Sequence, residues 1–536
     1  MASAADLIAR RLYDAGCRHA FGIPGGEVLT LIDALNRAGI EFVLTKHENG
    51  AGFMAEGTYH MTGAPGVLVA TIGPGAANAV NVVANAEQDR VPLIVLTGCV
   101  DAVEALTYTH QVFDHGALFG PITKATFKVA DGAADVLADK AVAIAMDDRP
   151  GPVHIDVPIS LAGREQAATP SSRRAPTAPA APAEGPALDR ARQWLAAAER
   201  PIMIAGLDVM NHDAVADVTG LVEDFGIPLI TTYKAKGVLP EDHPLALGGA
   251  GLSPVADREL LPLIGEADFV LLAGYDPIEM RAGWRHVWDA AKQNVVEFAA
   301  APNTHYMHQA SVSFVGHVGA GLRCLRDGAA PRETWPDGAP ARVKEVVQAV
   351  YGPNEAWGPT AVVKTVRANL PRDGVATVDS GAHRILQSQV WEAYEPRTLL
   401  QSTGLCTMGC ALPLAIGAKV AAPDRPVVAF TGDAGLEMIL GELATLRDLR
   451  LPLAVVVFVD ASLALIEMKQ RGVGLGNLGV DFGETDFAAV AEAMGGHGVT
   501  VESREALAEA MRTALAADRF TVIACRIGAA AYDGRI

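Results

Sequence analysis

The sequence predicts an α/β protein of three successive doubly wound parallel-sheet domains, and three observations lead there. The first is length. A chain of 536 residues exceeds what one hydrophobic core serves and, at roughly 100–200 residues per domain, suggests about three. The second is a repeated alternation of short, continuous apolar runs with longer helical stretches, the pattern of parallel strands buried on both faces. The third is punctuation, because two stretches rich in Pro, Ala and charge divide that alternation into three sets.

In chain order, HAFGI, EFVLT, GVLVATI, PLIVLTG and PVHIDVP read as strands between helical stretches such as LTLIDALNRAG and PGAANAVNVVANAEQD, which predicts a first domain over 1–165. Residues 166–187, with TPSSRRAPTAPAAPAEGP, carry little large apolar content and predict an extended linker. RPIMIAG, IPLITTY, FVLLAGY and NVVEFAA predict a middle domain over 188–330, followed by a second linker over 331–355. GVATVDSG, RTLLQS, PVVAFTG, LPLAVVVFVD, GVTVES and FTVIACRI predict a third domain over 356–536. The first and third sets are alike in size and pattern, so two related domains are expected to flank a different one.

Composition excludes several classes of function. Half of the residues are hydrophobic and 20% charged, which suits large cores rather than disorder. The formal net charge of −19 repels phosphate backbones and anionic lipids, so nucleic acid is not an expected partner. The longest apolar strand-like run, 451–459, is interrupted by Pro452 and falls far short of the ~20 residues of a membrane span. Six cysteines without a C-x-x-C pair, and a start, MASAADLIARRLYDAG, without a secretory pattern, predict reduced thiols in the cytoplasm.

Chemistry concentrates where strands meet helices. Gly432, Asp433, Ala434 and Gly435 follow the strand PVVAFT and open a helical stretch, and a helix N-terminus there offers free N–H groups to a phosphate while an aspartate can hold Mg²⁺. Asp at such a corner is also a common helix cap. The next strand ends at Asp460, and neighbouring parallel strands that end in oxygen ligands place both on one rim. This pair resembles the motif of the thiamine-diphosphate (ThDP)-dependent enzymes, Gly-Asp-Gly or Gly-Asp-Ala followed after a spacer of this length by Asn-Asn. The resemblance implies that Asp433, Asp460 and the main-chain carbonyl of Ser462 hold Mg²⁺ against the cofactor diphosphate. Val459-Asp460 stands where Asn-Asn is usual, which keeps a hard oxygen ligand and adds one negative charge. The FAD-independent catabolic acetolactate synthases also tolerate Asp there.

A second segment, Lys46 to Gly57, is similar to the H-E-x-G-A-x-x-M-A-E-G segment of the same family. The resemblance makes Glu48 the carboxyl that shares a proton with the aminopyrimidine and favours its imino tautomer. FGIPGGE, with Gly25 and Gly26, and TIGPGAAN, with Pro74 and Asn78, resemble family turns that approach the cofactor and the partner subunit. LCTMG places Met408 where the family wedges the cofactor into a bent shape, although a Met there also packs readily in a core. DSGAH places His383 near the diphosphate, with Ala382 replacing a usual Gln; a satisfied histidine is the alternative. Gln111 matches a substrate-pocket Gln of the synthases. Lys469, where the synthases tune acceptor choice, either meets an anionic group in the pocket or faces solvent on its helix, and Leu465 and Ile466 precede it.

The resemblance extends over nearly the whole chain and is nearest to the acetolactate synthases, in particular the catabolic, FAD-independent ones. It implies pyrimidine-binding, middle and diphosphate-binding domains, ThDP and Mg²⁺ as cofactors, and decarboxylation of a 2-oxo acid with acyl transfer to a second carbonyl compound. Simple decarboxylation, or a C–C lyase reaction such as that of a 2-hydroxyacyl-CoA lyase, is the alternative chemistry, and a non-catalytic regulatory subunit the alternative class. FAD is doubtful, since YDPIEMRAGWR stands where flavin-bearing members have an R-F-D-D-R-x-T-G-like loop. A homodimer is the expected minimal active unit, and a homotetramer the expected assembly.

Overall fold

The computed structural model describes residues 2–167 and 177–536. Part of the expected first linker, 168–176, lies outside the described residues, and 177–185 form neither helix nor strand. Three six-stranded sheets carry the chain, and every strand pair within them is parallel.

The first sheet comprises β1 (His19–Ile23), β2 (Glu41–Leu44), β3 (Gly66–Ala70), β4 (Leu93–Cys99), β5 (Ala125–Lys128) and β6 (Val153–Pro158), in the spatial order β2-β1-β3-β4-β6-β5. The middle sheet comprises β7 (Pro201–Ala205), β8 (Leu229–Thr231), β9 (Ala246–Gly249), β10 (Phe269–Ala273), β11 (Asn294–Ala299) and β12 (Val312–Val315), in the order β9-β8-β7-β10-β11-β12. The third comprises β13 (Val375–Val378), β14 (Leu399–Gln401), β15 (Val427–Gly432), β16 (Ala454–Val459), β17 (His497–Val501) and β18 (Thr521–Arg526), in the order β14-β13-β15-β16-β18-β17. First and third sheets thus share one topology and the middle sheet has another, as the likeness of the outer sets in sequence suggests.

Strands such as GVLVA and AVVVFV are buried along their whole length because helices cover both faces, and this makes them legible as continuous apolar runs. Three strands escape that reading: β5 (ATFK), β9 (ALGG) and β12 (VSFV). Each is a four-residue edge strand, paired on one side only, and needs no continuous apolar run. A further short antiparallel pair ties Ala2–Ser3 to Glu165–Gln166.

First and third domains pack directly on each other. Helix Glu48–Thr62 lies against helix Ala411–Ala421 so closely that a Cβ added at Gly417 would stand 1.9 Å from the Met54 carbonyl oxygen, and one at Gly57 2.4 Å from that of Leu414. The buried Glu442 carboxylate reaches across to accept from the backbone N–H of Lys46 and of His47, both at 3.1 Å. Asp89 similarly accepts from Thr403 Oγ1 and Gly404 N, both at 2.7 Å, and pairs with Lys234 of the middle domain at 3.0 Å. The loop before helix Glu48–Thr62 is therefore held by the third domain.

Candidate active site

The C-terminal ends of β13, β15 and β16 open onto a cavity of about 740 Å³. Ligands in open α/β sheets collect at this edge, where the chain leaves strands for helix N-termini. Asp433 opens helix Asp433–Glu437 directly after β15, and Asp460 follows β16, the neighbouring strand. Asp433 Oδ2 accepts from the N–H groups of Asp460 (3.0 Å) and Ala461 (2.7 Å), and its Oδ1 from Ala434 N–H (2.8 Å). Ala461, at φ +53°, turns the chain so that Ser462 N–H donates back to Asp460 Oδ1 at 3.3 Å. Among the described residues neither carboxylate has an ion pair. Burial pushes both acids up, and the charge of Asp433 helps to carry Asp460 to about 7. A buried and a half-buried carboxylate without a counter-charge form a receptive site for a divalent cation.

In the same cavity, the buried Ser380 Oγ, His383 Nε2 and Ser462 Oγ have no hydrogen-bond partner. All three residues line the cavity, so its wall offers polar atoms that await a ligand. The His383 ring stacks on Phe458 at 5.3 Å, and burial pushes it down to about 4, which keeps it neutral. Met408 sits on a turn anchored from below by the fully buried Asp379, which accepts from Gly409 N–H (2.9 Å), Cys410 N–H (3.2 Å) and Thr431 Oγ1 (3.0 Å). Gly432, Ala434 and Gly435 complete the floor.

Helix Ala464–Gly472 forms one lip and has no buried residue; Leu465, Ile466 and Lys469 on it line the cavity. Lys469 is exposed and pairs with no acid among the described residues, whereas Arg471 on the same helix is held by Glu467 and Asp533. Sequence reasoning missed several lining residues. Arg281 comes from the middle domain, clipped to Asp257 at 2.8 Å, while Arg384 and the C-terminal Tyr532 and Ile536 complete the wall. Asp379 lay in a motif already singled out. Arg281 and Tyr532 carried no local signal, because only the packing of distant segments brings them to this cavity.

The remaining predicted residues form a second cluster in the first domain. Glu48, 4% exposed, opens helix Glu48–Thr62 and accepts from Asn78 Nδ2 at 3.0 Å. Gly25 abuts Thr71, whose hydroxyl donates to Glu27 at 2.6 Å, and Pro74 begins the short helix Pro74–Asn78. Gln111, exposed and at φ +60°, lies with its carbonyl against Gly73. Gly26, Pro74, Asn78 and Gln111 all face outward, and no first-domain residue lines the 740 Å³ cavity among the described residues.

Three stretches of this chain match descriptions of one enzyme family. Residues 2–118 match the N-terminal TPP binding domain of thiamine pyrophosphate enzymes, 188–325 the central domain, and 379–525 the C-terminal TPP binding domain. The chain belongs to the thiamine pyrophosphate enzymes. Within them it is acetolactate synthase-like. This thiamine pyrophosphate enzyme is 30% identical to the acetolactate synthase of Bacillus subtilis (strain 168), over 97% of its own length and 92% of the relative's. It is 30% identical to the catabolic acetolactate synthase of Raoultella terrigena, over 98% and 94%. It is also 31% identical, over 92% and 88%, to a protein of Pseudomonas aeruginosa named as a probable 2-ketoarginine decarboxylase. Its six cysteines are free, and among the described residues no helix is long and apolar enough to cross a membrane.

Proposed function

We propose that this thiamine pyrophosphate enzyme decarboxylates a 2-oxo acid and transfers the acyl unit to a second carbonyl compound. The observation that carries the reading is the pairing of Asp433 with Asp460 at adjacent strand ends, unneutralised and in one cavity with the unpartnered Ser380, His383 and Ser462 atoms. Asp433, Asp460 and the Ser462 carbonyl are the groups to hold Mg²⁺, and Gly432, Ala434, Gly435 and His383 those to meet a diphosphate. ThDP bound there supplies a nucleophilic carbon and an electron sink for the bond broken when CO₂ leaves. Glu48 holds a proton at its carboxyl against the aminopyrimidine, and Asn78, donating to Oε2, fixes the orientation of that carboxyl. Met408 lends an apolar wedge, and Leu465 and Ile466 shield the reacting centre from water. Lys469, without an acidic partner at the cavity lip, is positioned to favour a substrate with an anionic group.

Glu48 and the Asp433–Asp460 pair lie in different domains, and this supports a homodimer in which the first domain of one protomer completes the cavity of its partner. The first domain exposes Val103, Leu106, Tyr108 and Phe113 around Gln111, and the third exposes Ile466, Val473, Leu475 and Leu478 around Lys469. A two-fold axis buries both patches in two equivalent sites, and two such dimers would make a homotetramer. Free cysteines suit the reducing cytoplasm.

The middle domain adds nothing in favour of FAD: at its switch-point crevice the turns after β7 and β10 are joined by Gly206 N–H to Ala273 O (2.8 Å) and Asp208 N–H to Gly274 O (3.2 Å), and Asp276 is paired with Arg90 at 3.5 Å.

Incubation with ThDP, Mg²⁺ and a panel of 2-oxo acids, with and without aldehyde or oxo-acid acceptors, tests the reaction by mass spectrometry of the products. A new C–C bond supports the carboligase; aldehyde and CO₂ alone under every acceptor would make the protein a decarboxylase.

A further inference from the structure

His115, His154 and Asp156 cluster where helix His115–Phe119 meets β6 of the first sheet, all buried, with one ligand atom of each within 4.8 Å of the others. Their residue types suit a metal, but their hydrogen bonds leave the ring nitrogens no lone pair to spare. Gly73 N–H can only donate, and at 3.3 Å it points at His115 Nε2, which must therefore accept. The His115 proton then lies on Nδ1 and goes to Asp156 Oδ1 at 2.8 Å. The Thr97 hydroxyl gives its single proton to the same oxygen at 2.5 Å, so His154 Nε2 donates to Thr97 at 2.7 Å. His154 Nδ1 accepts from Thr126 at 2.6 Å. These tautomers follow from the network, and every member is satisfied. Sheet register builds it, since Thr97 stands beside Asp156 on neighbouring strands β4 and β6, and Thr126 beside His154 on β5 and β6. The protonation states agree, because burial pushes His154 down to about 4; for Asp156 burial pushes up, but the bonds from His115 and Thr97 outweigh it and hold the acid below its usual range.

The relay ends on a turn that needs holding. Gly73, at φ +67° and ψ −106°, has a conformation open to glycine, and a Cβ there would stand 2.5 Å from the Gln111 carbonyl oxygen. Beyond it the chain packs Gly75 against Glu48 and presents Asn78 to Glu48 Oε2. We infer that Asp156 and His115 form a positioning relay that fixes the Gly73–Asn78 turn and, through Asn78, the carboxyl of Glu48. The inference rests on the role proposed above for Glu48. Neither relay residue touches the reacting atoms; the sheet sets the position of a group three hydrogen bonds away.

Two variants of the holoenzyme with ThDP and Mg²⁺ test it. His115→Leu removes the acceptor, and because a cavity of about 560 Å³ adjoins the site, water can enter and the fold is expected to survive. His115→Gln keeps an acceptor for Gly73 and a donor for Asp156. Deuterium exchange of the peptide over 71–79 is expected to quicken in His115→Leu by about ten-fold, with C2 proton exchange of bound ThDP about ten-fold slower and ThDP affinity held within about two-fold. His115→Gln is expected to restore most of both. Wild-type peptide exchange in His115→Leu, or equal impairment in the two variants, would overturn the relay. Glu48→Gln serves as the control: wild-type C2 exchange in that variant would remove the assigned role of Glu48, and peptide exchange alone would then decide the relay.

Discussion

At the residue scale, three carboxyls are asked for two opposite things. In the proposed reaction Glu48 passes a proton, whereas Asp433 and Asp460 stay charged around a cation. Glu48→Gln fills the same space and can still accept from Asn78, yet it cannot deliver a proton. Turnover is therefore expected to fall by about 100-fold or more, with ThDP still bound, as read by steady-state kinetics and circular-dichroism titration of the cofactor. In the proposed metal pair the charge balance decides. Asp460→Asn keeps an oxygen and relieves the repulsion from Asp433 that adds to burial in raising this acid, so ThDP affinity should hold or rise, whereas Asp433→Ala removes both the proposed ligand and the acceptor for Asp460 and Ala461 N–H and should abolish Mg²⁺-dependent binding. Calorimetry on the two variants checks both; no effect from either would place the metal elsewhere. Lys469→Gln is expected to raise KM for a substrate with an extra anionic group about ten-fold while leaving a neutral one within about two-fold. Equal effects on both would put the lysine on the solvent side and leave selection to Gln111, Leu465 and Ile466.

At the scale of elements, the helix that carries Glu48 is positioned by its fit to helix Ala411–Ala421. The glycines permit main-chain approach, and no side chain can yield to a new methyl group, since the opposing atom at Gly417 is a carbonyl oxygen. Gly417→Ala should therefore cost about 1–3 kcal/mol or more as the helices are forced apart, and the thermal unfolding midpoint should drop. An unchanged midpoint would mean that the pair separates freely. Much at this scale was legible in the sequence. The buried strands announced themselves as apolar runs, and the corner at Asp433 and the strand end at Asp460 were found from strand-to-helix transitions and a family resemblance. Edge strands β5, β9 and β12 were not, because one-sided pairing demands no apolar run. Asp379 was quoted inside a motif without its task being visible, since that task is to bind Gly409 and Cys410 N–H, far along the chain.

For the whole molecule, the decisive feature is that one chain holds Glu48 and the Asp433–Asp460 pair, the two halves of the proposed site, on different domains. The cavity at Asp433 has no lining from the first domain, and Glu48 lies beneath outward-facing Pro74 and Asn78. Activity should then follow dimer concentration. Sedimentation with parallel assays over a dilution series is expected to show specific activity falling as dimers dissociate, and a fully active monomer would sink the two-chain site.

Local pattern determined the succession of three α/β domains, the strand ends that bear Asp433 and Asp460, and the helix start that bears Glu48. These depend on burial, turn chemistry and spacing over tens of residues, and such information lies along the chain. Tertiary structure alone decided that Arg281 and Tyr532 wall the cavity, that Lys469 stands unpaired at its lip, and that His115 links Asp156 to Gly73. Each of those contacts joins segments that are distant in sequence. Hydrogen bonds and packing of that kind depend on angles and on distances of a few ångströms, which no spacing of residue types encodes.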